Sequence, residues 1–318
     1  MASKQRRFAD DGWGVWIEGD DTSTVYLNEW INPQGKTYVD FGMHIRGVRE
    51  TKNLFVYIPF SVTEAEVEDL SLKLDNEGIL CAVFSTTCWL DYKKNSCVSE
   101  VAFNGKTVDI LHISCAGFTL QPVDEGTLIQ VSLEKAQEYL DNDEIYILFR
   151  VPHKSLDAVF SRGKSPMKFF AHLKNLVTSP VVSVKYGYSV RINEARMLPE
   201  KIRKMGGFYR QKLKKAVVTM AVDESYDIND SNCYRVRRLE DKLYKTYAPN
   251  DFPRESAIIY QWNQTRERNL KRQFNFYIET SRQTISCASL IVYTIILLAI
   301  GAAGNGLWTL ILYLVFLL

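Results

Sequence analysis

No Asp, Glu, Lys or Arg occurs between Thr284 and Leu318, the last 35 positions of a 318-residue sequence. An uncharged apolar run of that length excludes an ordinary soluble terminus and marks a membrane-spanning segment. The other end, MASKQRRFADDG, lacks the apolar stretch of a signal peptide. The body is therefore expected to stay on the side of the membrane where it is made. The six cysteines, at 81, 88, 97, 115, 233 and 287, form no CxxC pair and match no zinc spacing. In a cytoplasmic body they are expected to be reduced thiols. HExxH, GxSxG, protein-kinase and zinc-deaminase signatures are all missing, and His44, His112, His153 and His172 are scattered. No metal, cofactor or catalytic residue is expected, and the chain reads as a non-enzyme. Repeats and low-complexity tracts are also lacking.

The uncharged segment reads TISCASLIVYTIILLAIGAAGNGLWTLILYLVFLL. As one helix it would be about 50 Å long against a hydrocarbon core of about 30 Å. It is thus either one tilted helix or a short hairpin with arms Ile285–Ile300 and Leu307–Leu318, about 24 and 18 Å long. Ala302 and Gly306 are four residues apart, the small-residue spacing that lets helices approach closely. Asn305 is polar where polarity is costly, so it belongs against another helix or water. Trp308 suits an interface better than mid-bilayer. Gly301, Asn305, Gly306 and Trp308 are the candidate membrane or pore positions, with a plain anchor as the alternative. Arg266, Arg268, Lys271, Arg272 and Arg282 precede the span and place the body in the cytoplasm. The glycosylation sequons at Asn229 and Asn263 would then stay unused. A bacterial inner membrane is the expected setting.

Upstream, the fold class is α+β. A β-rich soluble body comes first, then basic helices, a long stalk helix and the membrane segment. The expected divisions are an acidic β-rich domain at 1–155, a basic α+β segment at 156–253, a juxtamembrane stalk at 254–283 and the transmembrane segment at 284–318. Strands are predicted at 14–19, 24–30, 36–47, 53–60, 79–85 and 144–152 from their β-branched and aromatic content. Asn104-Gly105 signals a hairpin. A second strand pair flanks Asp124-Glu125-Gly126. Thr63 and the acids Glu64, Glu66, Glu68 and Asp69 start a short helix, and Ser132 caps another. Ser165-Pro166 opens the helix MKFFAHLKNLV, and 180–192 alternates as a strand. LPEKIRKM, FYRQKLKKAVVTMAV, residues 234–247 and residues 254–283 read as helices.

Charge is unevenly spread. Residues 1–150 carry 13 Lys and Arg against 24 Asp and Glu, leaving 26 against 13 in the rest. Either the halves attract each other or the second half meets an anion. Lys201, Arg203, Lys204, Arg210, Lys212, Lys214 and Lys215 form one cluster around Phe208 and Tyr209, with Arg203, Lys204, Arg210 and Lys212 the candidate contacts. Arg235, Arg237 and Arg238 form another beside Tyr234. Guanidinium groups bind phosphate bidentately and aromatic faces stack on bases. The pattern suits a nucleotide or single-stranded oligonucleotide, and equally anionic headgroups. A solvated helix face is the plainer alternative. AVFSRGKS (158–165) matches a permissive phosphate-loop pattern, but Ala158 replaces a glycine and Pro166 removes an N–H from the helix start.

A soluble sensor, a basic connector and a minimal membrane segment together resemble the membrane effectors of bacterial anti-phage signalling systems, CBASS-like or Hailong-like modules. The resemblance is one of architecture. It implies a homo-oligomer in which a nucleotide or oligonucleotide signal, made by a cognate synthesising enzyme, controls a pore or ion channel. It would give Arg203, Lys204, Arg210, Lys212, Arg235, Arg237 and Arg238 to the signal, and Gly301 and Asn305 to the membrane. A tail-anchored adaptor that recruits a protein partner, and a membrane-anchored enzyme, are the other readings.

Overall fold

The computed structural model describes residues 10–19, 22–32, 36–74, 76–84, 88–90, 97–103, 106–153, 161–162, 182–228, 232–265, 273–284 and 287–317. The chain divides into two compact units. The first comprises Met1–Ser161, Tyr188–Glu224 and Asp230–Ile278, and the second Arg162–Gly187, Ser225–Asn229 and Glu279–Leu318. The described strands are β1 (Asp10–Ile17), β2 (Thr22–Ile31), β3 (Thr37–Arg46), β4 (Asn53–Ile58), β5 (Glu68–Asp69), β6 (Cys88–Leu90), β7 (Val98–Phe103), β8 (Lys106–Leu111) and β9 (Phe118–Val123). They continue with β10 (Gly126–Ser132), β11 (Glu144–His153), β12 (Ser161–Arg162), β13 (Val182–Ile192), β14 (Lys212–Asp223), β15 (Tyr226–Ile228), β16 (Arg235–Arg238), β17 (Ala257–Thr265) and β18 (Phe274–Thr284).

In the first unit one sheet runs β18–β13–β1–β4–β10–β9 and the other β16–β17–β14–β2–β3–β11–β8–β7–β6. The sheets are mixed: β1 with β13, β2 with β14 and β8 with β11 are parallel. Period-2 alternation sorts the side chains. Val15, Val56, Ile129, Val25, Leu27, Phe41, Met43, Ile147 and Phe149 are buried on one set of faces. Tyr188 on β13 crosses between the sheets and donates from Oη to Glu29 Oε1 at 2.5 Å. The opposite faces carry separate clusters. On the first sheet Trp16, Phe55, Tyr57 and Leu128 pack with Leu198, Ile202 and Phe208 from the segment around helix α4 (Glu200–Met205). On the second, Trp30, Tyr146, Leu148 and Ile259 pack with Ile79 and Leu80 of α1 (Glu77–Phe84) and with Tyr244, Tyr247 and Phe252. Each fully buried Leu, Ile or Phe contributes about 1.5–3 kcal/mol.

The hairpin across Asn104-Gly105 forms as β7 and β8, and β9 pairs with β10 around Asp124. Ser132 caps α3 (Leu133–Ala136), which follows α2 (Ile113–Ala116) in the chain. The β-rich body and the long apolar C-terminal helix are present, but four expected helices are corrected. AVVTMAV is part of β14, because its β-branched residues alternate between two buried faces of a central strand. Residues 234–247 give β16 and the one-turn α5 (Asp241–Tyr244). The expected stalk is β17 and β18. Phe274, Phe276, Ile278 and Thr280 are buried while Asn275, Tyr277 and Glu279 are exposed, a strict strand period. Thr63 does start a turn, its N–H donating to Glu66 Oε2 at 2.8 Å, but β5 interrupts the helix to pair with β11. Conversely, the strand expected at 79–85 is α1. Asn76 Oδ1 accepts from Gly78 N–H at 2.7 Å, and Ile79, Leu80 and Ala82 form its buried face. MKFFAHLKNLV lies outside the described residues, as does the phosphate-loop-like segment apart from Ser161 and Arg162.

One thiol expectation is also corrected. Cys97 is joined to Cys115 in a disulfide, their Cα atoms 5.4 Å apart. Strand pairing of β7 with β8 and the α2 turn bring the two together, which sequence spacing does not reveal.

The second unit contains a short antiparallel pair, β15 with the end of β18, in which the Arg282 guanidinium lies 5.4 Å from the Tyr226 ring centroid. The uncharged C-terminal segment is one continuous helix, α6 (Cys287–Leu317), uninterrupted at Gly301–Gly306. That excludes the hairpin alternative. Leu290–Phe316 is long and apolar enough to cross a membrane. Its 27 residues span about 40 Å, leaving room to tilt. Thr294 and Thr309 return their hydroxyls to the carbonyls of Leu290 and Asn305 at 2.9 Å, so both hydroxyls are satisfied within the helix.

At the second sheet's outer face Arg150 and Asp40 are each 1 % exposed. Arg150 Nη2 donates to Asp40 Oδ2 at 3.0 Å, with Nε on Oδ1, and Nη1 donates to the Tyr247 carbonyl at 2.9 Å. Trp30 Nε1 donates to the same carboxylate at 2.7 Å. Burial opposes the arginine's charge, but the adjacent Asp40 carboxylate outweighs it and lifts its pKa above the usual value. Arg150→Met leaves Asp40 buried and unpaired, and should cost about 3–5 kcal/mol in urea unfolding followed by tryptophan fluorescence. Adding Asp40→Asn to that variant should recover more than half of the loss.

Candidate functional site

Strand register sets a polar row across six strands of the second sheet. Arg235 stands opposite Gln261, Gln261 opposite Thr219, Thr219 opposite Asn28, Asn28 opposite Asp40 and Asp40 opposite Arg150. Thr219 Oγ1 donates to Asn28 Oδ1 at 2.6 Å, and Asn28 Nδ2 donates to Asp40 Oδ2 at 3.2 Å. The ionised, acceptor-only carboxylate fixes which way the Asn28 amide points. The neighbouring row is apolar: Val217, Tyr26, Gly42 and Leu148. Gly42 is required there, since any Cβ would run into the Tyr146 hydroxyl.

Above this row lies a cavity of about 530 Å³, within the range of small-molecule sites. Ala82, Val83 and Phe84 at the end of α1 form one wall, with Tyr244 and Tyr247 beside them. Arg237 closes that wall. Its Nη2 donates to the Ala82 carbonyl at 3.1 Å and to Tyr244 Oη at 2.6 Å, and its guanidinium lies 5.7 Å from the Tyr244 ring. Inside, the Tyr146 ring meets Phe84 at 4.6 Å and Tyr26 at 5.7 Å between centroids. Burial pushes the Tyr26 phenol up to about 12 and Tyr146 well above its ordinary value, so both stay neutral hydrogen-bonding groups.

Lys215 and Arg235 bring positive charge to the same cavity, where Tyr234 is 70 % exposed. Lys215 has no carboxylate partner among the described residues, and burial alone pushes its pKa below that of a free lysine. Asp40, the cavity's acid, is held by Arg150. The site is therefore cationic, aromatic-walled and polar-floored.

Sequence-nominated residues divide between this cavity and other surfaces. Arg235 and Arg237 line it, while Arg238 is exposed and faces Glu224 at 3.5 Å. Arg203, Lys204 and Arg210 are exposed on α4 and the turn after it, with Lys204 paired to Glu200 at 2.8 Å. Lys212 opens β14, and its side chain lies outside the described residues. Phe208, expected to stack on a base, is a core residue under Trp16. In the long C-terminal helix Gly301, Asn305, Gly306 and Trp308 are exposed, as are all the residues from 301 to 316. Asn28, Thr219, Gln261 and Asn263 escaped sequence reasoning, and Lys215 entered it only as one member of the basic stretch at 201–215. Reading 212–223 as a strand would have brought Lys215 and Thr219 together, because with Val217 they then share a face. The ion pairs Lys106–Glu144 and Lys73–Glu68 fall inside the acidic half, and Arg254–Asp241 inside the basic half. Among the described residues no three His, Cys, Asp or Glu meet as metal ligands would. His44 faces Glu144 at 3.1 Å and His112 Nε2 faces Ser99 Oγ at 3.1 Å. Compared with protein-family models and with curated proteins, the sequence matches none.

A half-buried lysine without a counter-charge is destabilising while it is charged. Its folded pKa lies below 10.5. The penalty is therefore full at neutral pH and is relieved as pH rises through the folded pKa toward the unfolded value. Lys215→Met should raise the thermal midpoint at pH 7, and the gain should shrink as pH rises toward the free-lysine value of about 10.5. The same variant should weaken anion binding, the trade expected of a functional residue.

Proposed function

We propose that this chain is a membrane-anchored receptor for a phosphate-bearing signal, a nucleotide or oligonucleotide, and that copies assemble through the membrane helix into an effector that gates a pore. One observation carries the reading: Lys215, Arg235 and Arg237 reach a single aromatic-walled cavity in which Asp40, the one acid among the described lining residues, is paired with Arg150. Phosphate is the common biological anion that such a set of donors holds. Chain order supplies the link to the membrane. β17 gives Gln261 and Asn263 to the cavity, β18 follows it, and α6 begins within three residues of the end of β18. A ligand that favours one arrangement of these strands would shift the population of helix arrangements. The bacterial inner membrane, with an anti-phage role, is the setting the architectural resemblance suggests. The adaptor reading is favoured by β16 alone, an edge strand on which Val236 is 55 % exposed, with Tyr234 just before it 70 % exposed. Such an edge accepts a partner strand.

Purified protein in detergent should bind nucleoside phosphates by titration calorimetry. Arg235→Ala and Lys215→Met should each weaken binding about tenfold, the worth of one charge-assisted contact. Absence of binding by every phosphate compound, together with capture of a peptide strand, would favour the adaptor. Liposome ion flux that never changes with ligand would remove the pore.

Asn305 lies among small residues on a helix face turned outward. Asn305→Leu should lower the fraction of cross-linked oligomer in detergent if the amide meets another copy, whereas a plain anchor would tolerate it.

A further inference from the structure

The phosphate alone does not account for the floor of the cavity. Phosphate oxygens accept, so a site for phosphate needs only donors. Asn28, Gln261 and Asn263 offer both kinds of group. Among the described residues, Asn28 commits its carbonyl to Thr219 and one N–H to Asp40, leaving one N–H. Gln261 donates one N–H to Asn263 Oδ1 at 3.2 Å, leaving its own carbonyl and a second N–H. Asn263 keeps its amide N–H groups. Gln261 and Asn263 on β17 and Asn28 on β2 flank Thr219 of β14, so with strands about 4.8 Å apart donor and acceptor groups are spread across about 10 Å of the floor. Hydroxyls of a headgroup or a sugar phosphate can also donate and accept, but neither offers a flat π face to the aromatic wall. A planar heteroaromatic ring satisfies both.

Lys215 lies four residues from Thr219 along β14 on the same face, about 13 Å of strand. A long, flexible ammonium chain at that distance suits the far end of a base–sugar–phosphate unit. At the other end Arg237 ties the Ala82 carbonyl to the Tyr244 hydroxyl. A cavity of about 530 Å³ has the size of a site for one small molecule.

We infer that the cavity takes a single nucleotide, base first, with the base edge read by Asn28, Gln261 and Asn263 beside Arg235, and the phosphate held by Lys215. This rests on the reading of the cavity as a phosphate site. It is tested on the full-length protein in detergent with AMP, GMP, CMP and UMP, ribose 5-phosphate, inorganic phosphate and a 5′-phosphorylated tetranucleotide. At least one mononucleotide should bind ten or more times more tightly than ribose 5-phosphate, and the tetranucleotide should bind no better than its best monomer. Gln261→Leu should shrink the preference over ribose 5-phosphate to threefold or less while leaving affinity for ribose 5-phosphate itself unchanged. Equal binding of ribose 5-phosphate and all nucleotides would overturn base reading and leave the phosphate site standing. Tenfold tighter binding of the tetranucleotide would overturn the single-nucleotide claim. Binding of none of them would overturn the phosphate site as well.

Discussion

A guanidinium and a carboxylate buried against each other, Arg150 and Asp40, set the terms for everything on the outer face of the second sheet. Neither charge is tolerable alone at that depth. Together they demand further partners, which Trp30, Asn28 and the Tyr247 carbonyl supply. The pair therefore fixes where the 239–252 segment docks and which way the Asn28 amide faces. The polar row from Arg235 to Arg150 follows from that orientation, and the cavity is the space that the docked segment and α1 leave above it.

The two faces of each sheet are built for different purposes. The inner faces are almost wholly apolar, with the Tyr188–Glu29 bond crossing between them. The outer face of the second sheet carries an apolar cluster at one side and hydrogen-bonding groups at the other. A sheet stabilised mainly from one face can leave part of its other face free for chemistry. Specificity then comes from register: a one-residue slip of β14 would turn Lys215 and Thr219 into the core.

Much of the first half was legible because its strands alternate and its turns use Asn-Gly and Asp-Glu-Gly. The membrane helix was legible from composition alone. The second half misled for a definite reason. Lys and Arg at 210–215 and 266–272 imitate the charged face of an amphipathic helix, and the apolar positions of AVVTMAV fit either period. Only pairing with β2 and β17 decides between them. The cavity was half legible. Arg235 and Arg237 stood out as charges, but Asn28, Thr219, Gln261 and Asn263 lie up to 235 residues apart in sequence and meet only through cross-strand register. Single-sequence reasoning has no access to such a juxtaposition.

The bond between Cys97 and Cys115 makes the chain a reporter of its own sidedness. Closing a loop with a separation of 18 residues is worth roughly 3 kcal/mol by chain entropy. Facing glutathione, the body would forgo that crosslink and hold the start of β7 against α2 by packing alone. Facing an oxidising lumen or periplasm, it would keep it. The same polypeptide would thus be a firmer object on one side of the bilayer than on the other.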